Sequence, residues 1–134
     1  MITVESSINA PVEKVWEAWT KPEHIIKWNA ASDDWHTTKA ENDLKPGGRF
    51  VYRMEAKDGS MAFDFGGTYE EVETNEKLVY KLDDNRKAII EFSSEDDTTK
   101  LIEKFDVEKE NPEEMQKKGW QAILDNFKKY VEAM

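Results

Sequence analysis

"NDLKPGGRFVYRM", residues 42–54, decides the fold. Its Pro46-Gly47-Gly48 triplet reads either as a loop that cradles phosphate or as a turn that feeds a strand. A phosphate-binding glycine loop opens a helix whose N-terminal N–H groups face the anion. Here the glycines run instead into an alternating segment. Phe50, Tyr52, Met54 and Ala56 interleave with Arg49, Val51, Arg53 and Glu55, which is the period of a strand. No Lys-Ser or Lys-Thr follows at Walker spacing. The triplet is therefore a hairpin turn. The strand after it has one apolar and one largely charged face, as in an antiparallel sheet with one wet side.

The pattern continues downstream. "KDGS", residues 57–60, is a second hairpin signal, because Asp-Gly tolerates the positive φ of tight turns. Met61, Phe63 and Phe65 alternate on the returning strand, which runs to about Val72, and Asp64 between them points to the wet face. "ETNEK" turns the chain into "LVYKL", "DDNRK" into "AIIEF", and "SEDDTT" into "KLIEKFDVE". Upstream, "DDWHTTKAEND" is a strand of low hydrophobicity and "ITVESSINA" opens the chain as a strand. The whole is a meander of about seven strands with no long crossover.

Helices occupy two places. After the first strand, Asn9-Ala10-Pro11 marks a helix start, with Asn9 or Ala10 near the cap and Pro11 at the first helical position. Val12, Val15, Trp16 and Trp19 recur at helical spacing. Thr20-Lys21-Pro22 breaks that helix, and "PEHIIKW" forms a second, with Ile25, Ile26 and Trp28 as its candidate buried residues. Near the end of the sequence, Asn111-Pro112-Glu113-Glu114 opens a long helix. Its stripe is Trp120, Leu124, Phe127, Val131 and Met134, extended sideways by Met115, Gly119 and Ile123. That stripe needs a surface to cover, and the apolar face of the meander is the only one large enough. The expected architecture is α+β: a curved antiparallel sheet gripping a long C-terminal helix, with two short helices after strand 1.

The totals bound what such a protein does. The 134 residues point to one domain spanning 1–134. Hydrophobic residues at 38% beside charged residues at 36% describe a soluble globular chain. No run is long enough to span a membrane, and the start lacks the layout of a signal peptide, so the expected location is cytoplasmic. Cysteine is absent, which excludes disulfides, thiolate metal sites and thiol nucleophiles. The net charge of −10 repels phosphate backbones and anionic lipid, so neither nucleic acid nor membrane is an expected partner. A monomer is expected. The two histidines, His24 and His36, carry no metal-binding spacing, and G-x-S-x-G is missing, so no cofactor and no hydrolytic site is expected.

Among the carboxylates, Glu103 stands apart. It shares parity with Leu101, Phe105 and Val107, and so can point toward the covered face. Lying near a strand end, it is expected to reach water; burial would give it a partner or a raised pKa, and would mark a functional site.

Taken together, "APVEKVWEAWTKPEHIIKW", "DLKPGGRFVYRM" with "DGS", "GTYEEVETNEKLVY" and "GWQAILDNFKKYVEAM" resemble the START-like, or SRPBCC, superfamily. Within it the chain is most similar to the heat-shock-protein-90 ATPase activator homologue family. Trp28 is followed by Asn29, where that family commonly has a second Trp. The resemblance implies a helix-grip fold with space for an apolar ligand between sheet and C-terminal helix. The expected lining is Trp28 from the second helix and Phe50, Tyr52, Met54, Phe63, Phe65, Tyr80 and Phe92 from the sheet. Trp120, Ile123 and Phe127 face them from the last helix. Any one of these residues alone reads as filled core. Large aromatics and methionines with one or two hydroxyls also match the lining of a small-molecule site. Tyr52 and Tyr80 would orient a polar group of a hydrophobic or aromatic ligand that is lipid-, polyketide- or flavonoid-like. The family name implies a second partner, a heat-shock ATPase, and with it a role in stress response. A cyclase-like enzyme ranks last because no acid–base pair converges in the sequence.

Overall fold

The computed structural model describes residues 1–134. The chain runs β1 (Ile2–Ile8), α1 (Val12–Thr20), α2 (Pro22–Trp28), β2 (Trp35–Asn42), β3 (Arg49–Ala56), β4 (Ala62–Glu73), β5 (Lys77–Leu82), β6 (Lys87–Glu95), β7 (Thr98–Phe105) and α3 (Glu113–Glu132). The seven strands form one antiparallel sheet in the order β1-β7-β6-β5-β4-β3-β2. It curls around α3 as the helix-grip architecture requires. Register breaks between Thr37 and Lys39 and between Tyr69 and Glu71 bend the β2–β3 and β4–β5 pairs, as bulges do.

The opening stretch folds as a turn. Gly47 has φ +82°, which only glycine adopts without strain, and a Cβ on Gly48 would lie 2.1 Å from the Asp43 carbonyl oxygen. The Asp43 N–H donates to the Arg49 carbonyl at 2.9 Å, closing the hairpin from β2 into β3. Along β3, Phe50, Tyr52, Met54 and Ala56 are all buried while their neighbours are not. Asp64 faces solvent, where it pairs with Arg53.

Helices α1 and α3 start one residue later than the sequence suggests, whereas α2 begins on Pro22 itself. Pro11 and Pro112 are themselves the caps, with ψ of 154° and 144°. Their carbonyls accept the first helical hydrogen bonds, from Lys14 and Val15 and from Met115 and Gln116. A fixed φ suits the cap as well as the first helical turn.

The filled part of the core lies at one end of the concave face. There Leu124, Phe127 and Val131 of α3 are fully buried with Val15 of α1, Ile25 of α2, and Ile8 of β1. Phe127 stands edge-on to Trp19 and Trp28, each at 4.8 Å between centroids. Hydrogen bonds from Trp28 to the Ala18 carbonyl and from Thr99 to the Ala10 carbonyl, both 2.9 Å, lock the short helices in place. Several residues expected on covered faces are instead exposed, among them Ile26, Met61 and Met134. Ile26 is 37% exposed on α2, Met61 precedes β4, and Met134 follows the last turn of α3.

Candidate functional site

The two halves of α3 behave differently. Its C-terminal half packs into the core through Leu124, Phe127 and Val131, whereas Gly119 and Trp120 in its N-terminal half, and Ile123 just after them, are only half-buried. Beneath that half, between α3 and strands β3, β4, β5 and β7, lies a cavity of about 340 Å³. Trp120 closes one side by stacking on Phe105, with centroids 3.9 Å apart and planes 10° from parallel. Tyr52, Phe65 and Tyr80 rise from the sheet, Trp19 and Trp28 from the short helices. Phe63 and Met115, 45% and 59% exposed, stand at the mouth.

The polar groups are few and mostly engaged. Tyr69 donates from its hydroxyl to Asn42 Oδ1 at 2.7 Å, and Asn42 in turn donates to the Thr20 carbonyl at 2.6 Å. Burial pushes the Tyr69 phenol up to about 12 and raises those of Tyr52 and Tyr80 well above the ordinary tyrosine range. Gln116 ties down the segment before α3. Its Oε1 accepts from the Glu108 N–H at 2.9 Å, and its amide donates to the carbonyls of Glu108 and Asn111 at 3.2 and 2.8 Å. Asn29, also in the wall, donates to Thr37 Oγ1, whose hydroxyl returns a hydrogen bond to the Asn29 carbonyl.

Glu103 corrects the sequence reading. It is 4% exposed and lines the cavity. Its register explains why: it sits between Val4 of β1 and Ile90 of β6, both buried, two residues inside the end of β7. Parity outweighs nearness to the strand end. Burial alone pushes the carboxyl up to about 8, and its charge adds to the rise at Tyr80.

The model of the family described as "Activator of Hsp90 ATPase homolog 1-like protein" matches residues 9–132. The chain belongs to that family. A solution structure of an AHSA1-like protein from Aeromonas hydrophila is 47% identical, superposes with a TM-score of 0.90, and is matched over 98% of this chain and 93% of its own. One from Cytophaga hutchinsonii is 53% identical, with a TM-score of 0.85 and coverage of 98% and 92%. A crystal structure from Nitrosomonas europaea, at 20% identity, TM-score 0.83 and coverage of 98% and 94%, shares the fold. None of the curated proteins matches. The helix-grip fold of this family is that of ligand-binding domains.

In this Activator of Hsp90 ATPase homolog 1-like domain, the residues singled out in the sequence divide into two sets. Trp28, Tyr52, Met54, Phe63, Phe65, Tyr80, Trp120 and Ile123 line the cavity. Phe50, Phe92 and Phe127 do not. Phe50 is wedged among Tyr52, Tyr69 and Tyr80, and Phe92 packs under Trp16 and Trp19, so both fill core beside Phe127. Tyr69, Arg86 and Gln116 were not singled out, and all three border the cavity. Gln116 had a signal: it is a polar residue exactly one helical step, i to i+4, before Trp120 on the apolar stripe. Neither histidine lines the cavity, so Glu103 has no imidazole beside it for acid–base work.

Proposed function

We propose that this domain binds a hydrophobic or aromatic small molecule, lipid-, polyketide- or flavonoid-like, between the sheet and the N-terminal half of α3. The observation that carries the reading is the cavity itself. At about 340 Å³ it falls in the range of small-molecule sites, and 12 of its 19 lining residues are hydrophobic. Its phenols from Tyr52, Tyr69 and Tyr80 suit orienting a single polar function. The aromatic lining supplies contact at low entropic cost, since these rings are already held by neighbours.

An NMR titration of amide and indole signals with such compounds tests the reading. Saturable shifts are expected at the indoles of Trp28 and Trp120. The indole of Trp16, packed against Phe92 away from the cavity, should stay still. Shifts spread evenly over all five tryptophans, or none at all, would sink the proposal and turn attention to a protein partner.

A further inference from the structure

An apolar ligand leaves one group of the cavity without a role. Glu103 is buried, faces the cavity, and receives no hydrogen bond or ion pair from the chain; burial is the sole cause of its raised pKa. The groups around it are accounted for. β1 and β6 present the apolar Val4 and Ile90 on either side. β3, β4 and β5 bring the phenols of Tyr52, Tyr69 and Tyr80, and the segment before α3 brings Glu108. α3 itself brings Gln116, whose amide is committed to Glu108 and Asn111. Arg86, the one cation of the wall, holds Asp84 at 2.7 Å from its Nε and does not offset the Glu103 charge.

To hold a neutral ligand, the tyrosine hydroxyls already suffice. What a carboxyl adds is negative charge. Aromatic faces attract cations, and a protein of net charge −10 draws them in. We propose that the ligand is an apolar or aromatic molecule carrying one positively charged nitrogen, held against the Glu103 carboxylate among the surrounding rings. This rests on the reading of the cavity as a ligand site and narrows the chemical class.

Two probes differing only in a fixed charge test it: benzyltrimethylammonium and its carbon isostere neopentylbenzene. Each is titrated into the full chain between about pH 6 and about pH 9, reading the Trp28 and Trp120 indoles. Neither probe titrates, so the pH dependence reports the protein. The cation should bind at least about tenfold tighter than the isostere above about pH 8. Its affinity should fall up to about tenfold per pH unit below that, as Glu103 takes up a proton. Glu103→Gln should remove the pH dependence and at least about tenfold of the preference, leaving only what the rings themselves give a cation; the wild-type pH profile stands independently of that variant. Equal binding of the two probes, or a preference that ignores pH and survives in Glu103→Gln, would overturn the cation and leave the cavity reading standing. Binding of neither would overturn both.

Discussion

Replacing Glu103 by glutamine probes the site without any ligand. Folding moves this carboxyl from an ordinary value of 4.5 to about 8. At about pH 4 it is protonated in both states, and the raised value costs nothing. As pH climbs, the unfolded chain releases the proton while the native chain keeps it. Stability then falls by about 1.4 kcal/mol per pH unit. The loss reaches about 3 kcal/mol near pH 7 and levels off at about 5 kcal/mol above pH 8, where the native carboxyl ionises too. The contribution of this group is thus best in acid and is lost as pH rises through the native value.

Glu103→Gln keeps the shape and removes the proton. Its stability should match the parent near about pH 4.5, exceed it by about 3 kcal/mol near pH 7, and by about 5 kcal/mol near pH 9. Those are large fractions of the roughly 5–15 kcal/mol that holds a domain together. Urea unfolding followed by tryptophan fluorescence at the three pH values measures the difference, in which every other titrating group cancels. A difference that stays constant from about pH 5 to about pH 9 would refute a buried, unpartnered carboxyl.

Two further substitutions separate core from cavity wall. Phe127→Ala removes a ring with no exposed surface and should cost about 4 kcal/mol in urea unfolding. Trp120→Ala should cost only about 2–3 kcal/mol despite the larger ring, because one side of it opens on the cavity; a loss equal to that of Phe127→Ala would mean the ring is packed on both faces. Gly119→Ala should raise stability by about 1 kcal/mol, and Tm by about 4 °C, since an added Cβ meets nothing within 4 Å on a helix that favours alanine. A lower Tm in a thermal melt would show that the glycine is needed by the helix's approach to the sheet.

The sheet was legible because period-two alternation reports directly which face is covered, and Phe50, Tyr52 and Met54 each carry that signal. The boundary between core and cavity was not, because alternation says that a side chain points inward and nothing of what lies opposite. Phe92 and Tyr80 read alike in the sequence; Tyr80 lines the cavity, whereas Trp16 and Trp19 of α1 cover Phe92. Phe63 has the parity of the concave face but lies near the start of β4, at the mouth of the cavity, and so is half in water. Tyr69 escaped notice because Gly67 interrupts the alternating apolar residues ahead of it. For Glu103, parity and strand-end position made opposite forecasts, and a sequence holds no measure of how far the neighbouring strands extend. β1 and β6 both run past it.

The placement of Glu103 also bears on why the cavity is there at all. The site between Val4 and Ile90 would accept an aliphatic side chain, and an aliphatic residue there would add burial instead of an electrostatic cost of about 3 kcal/mol near neutral pH. The chain shows that it can fill such space, since Phe50, Leu78, Ile90, Leu101 and Phe105 are all fully buried on the same concave face. A carboxyl among them, at the wall of the cavity beneath α3, is a poor choice for stability. Stability therefore does not explain it. What does is an occupant that compensates the charge, and the rings already standing around that carboxyl are the groups best suited to hold such an occupant's cationic end.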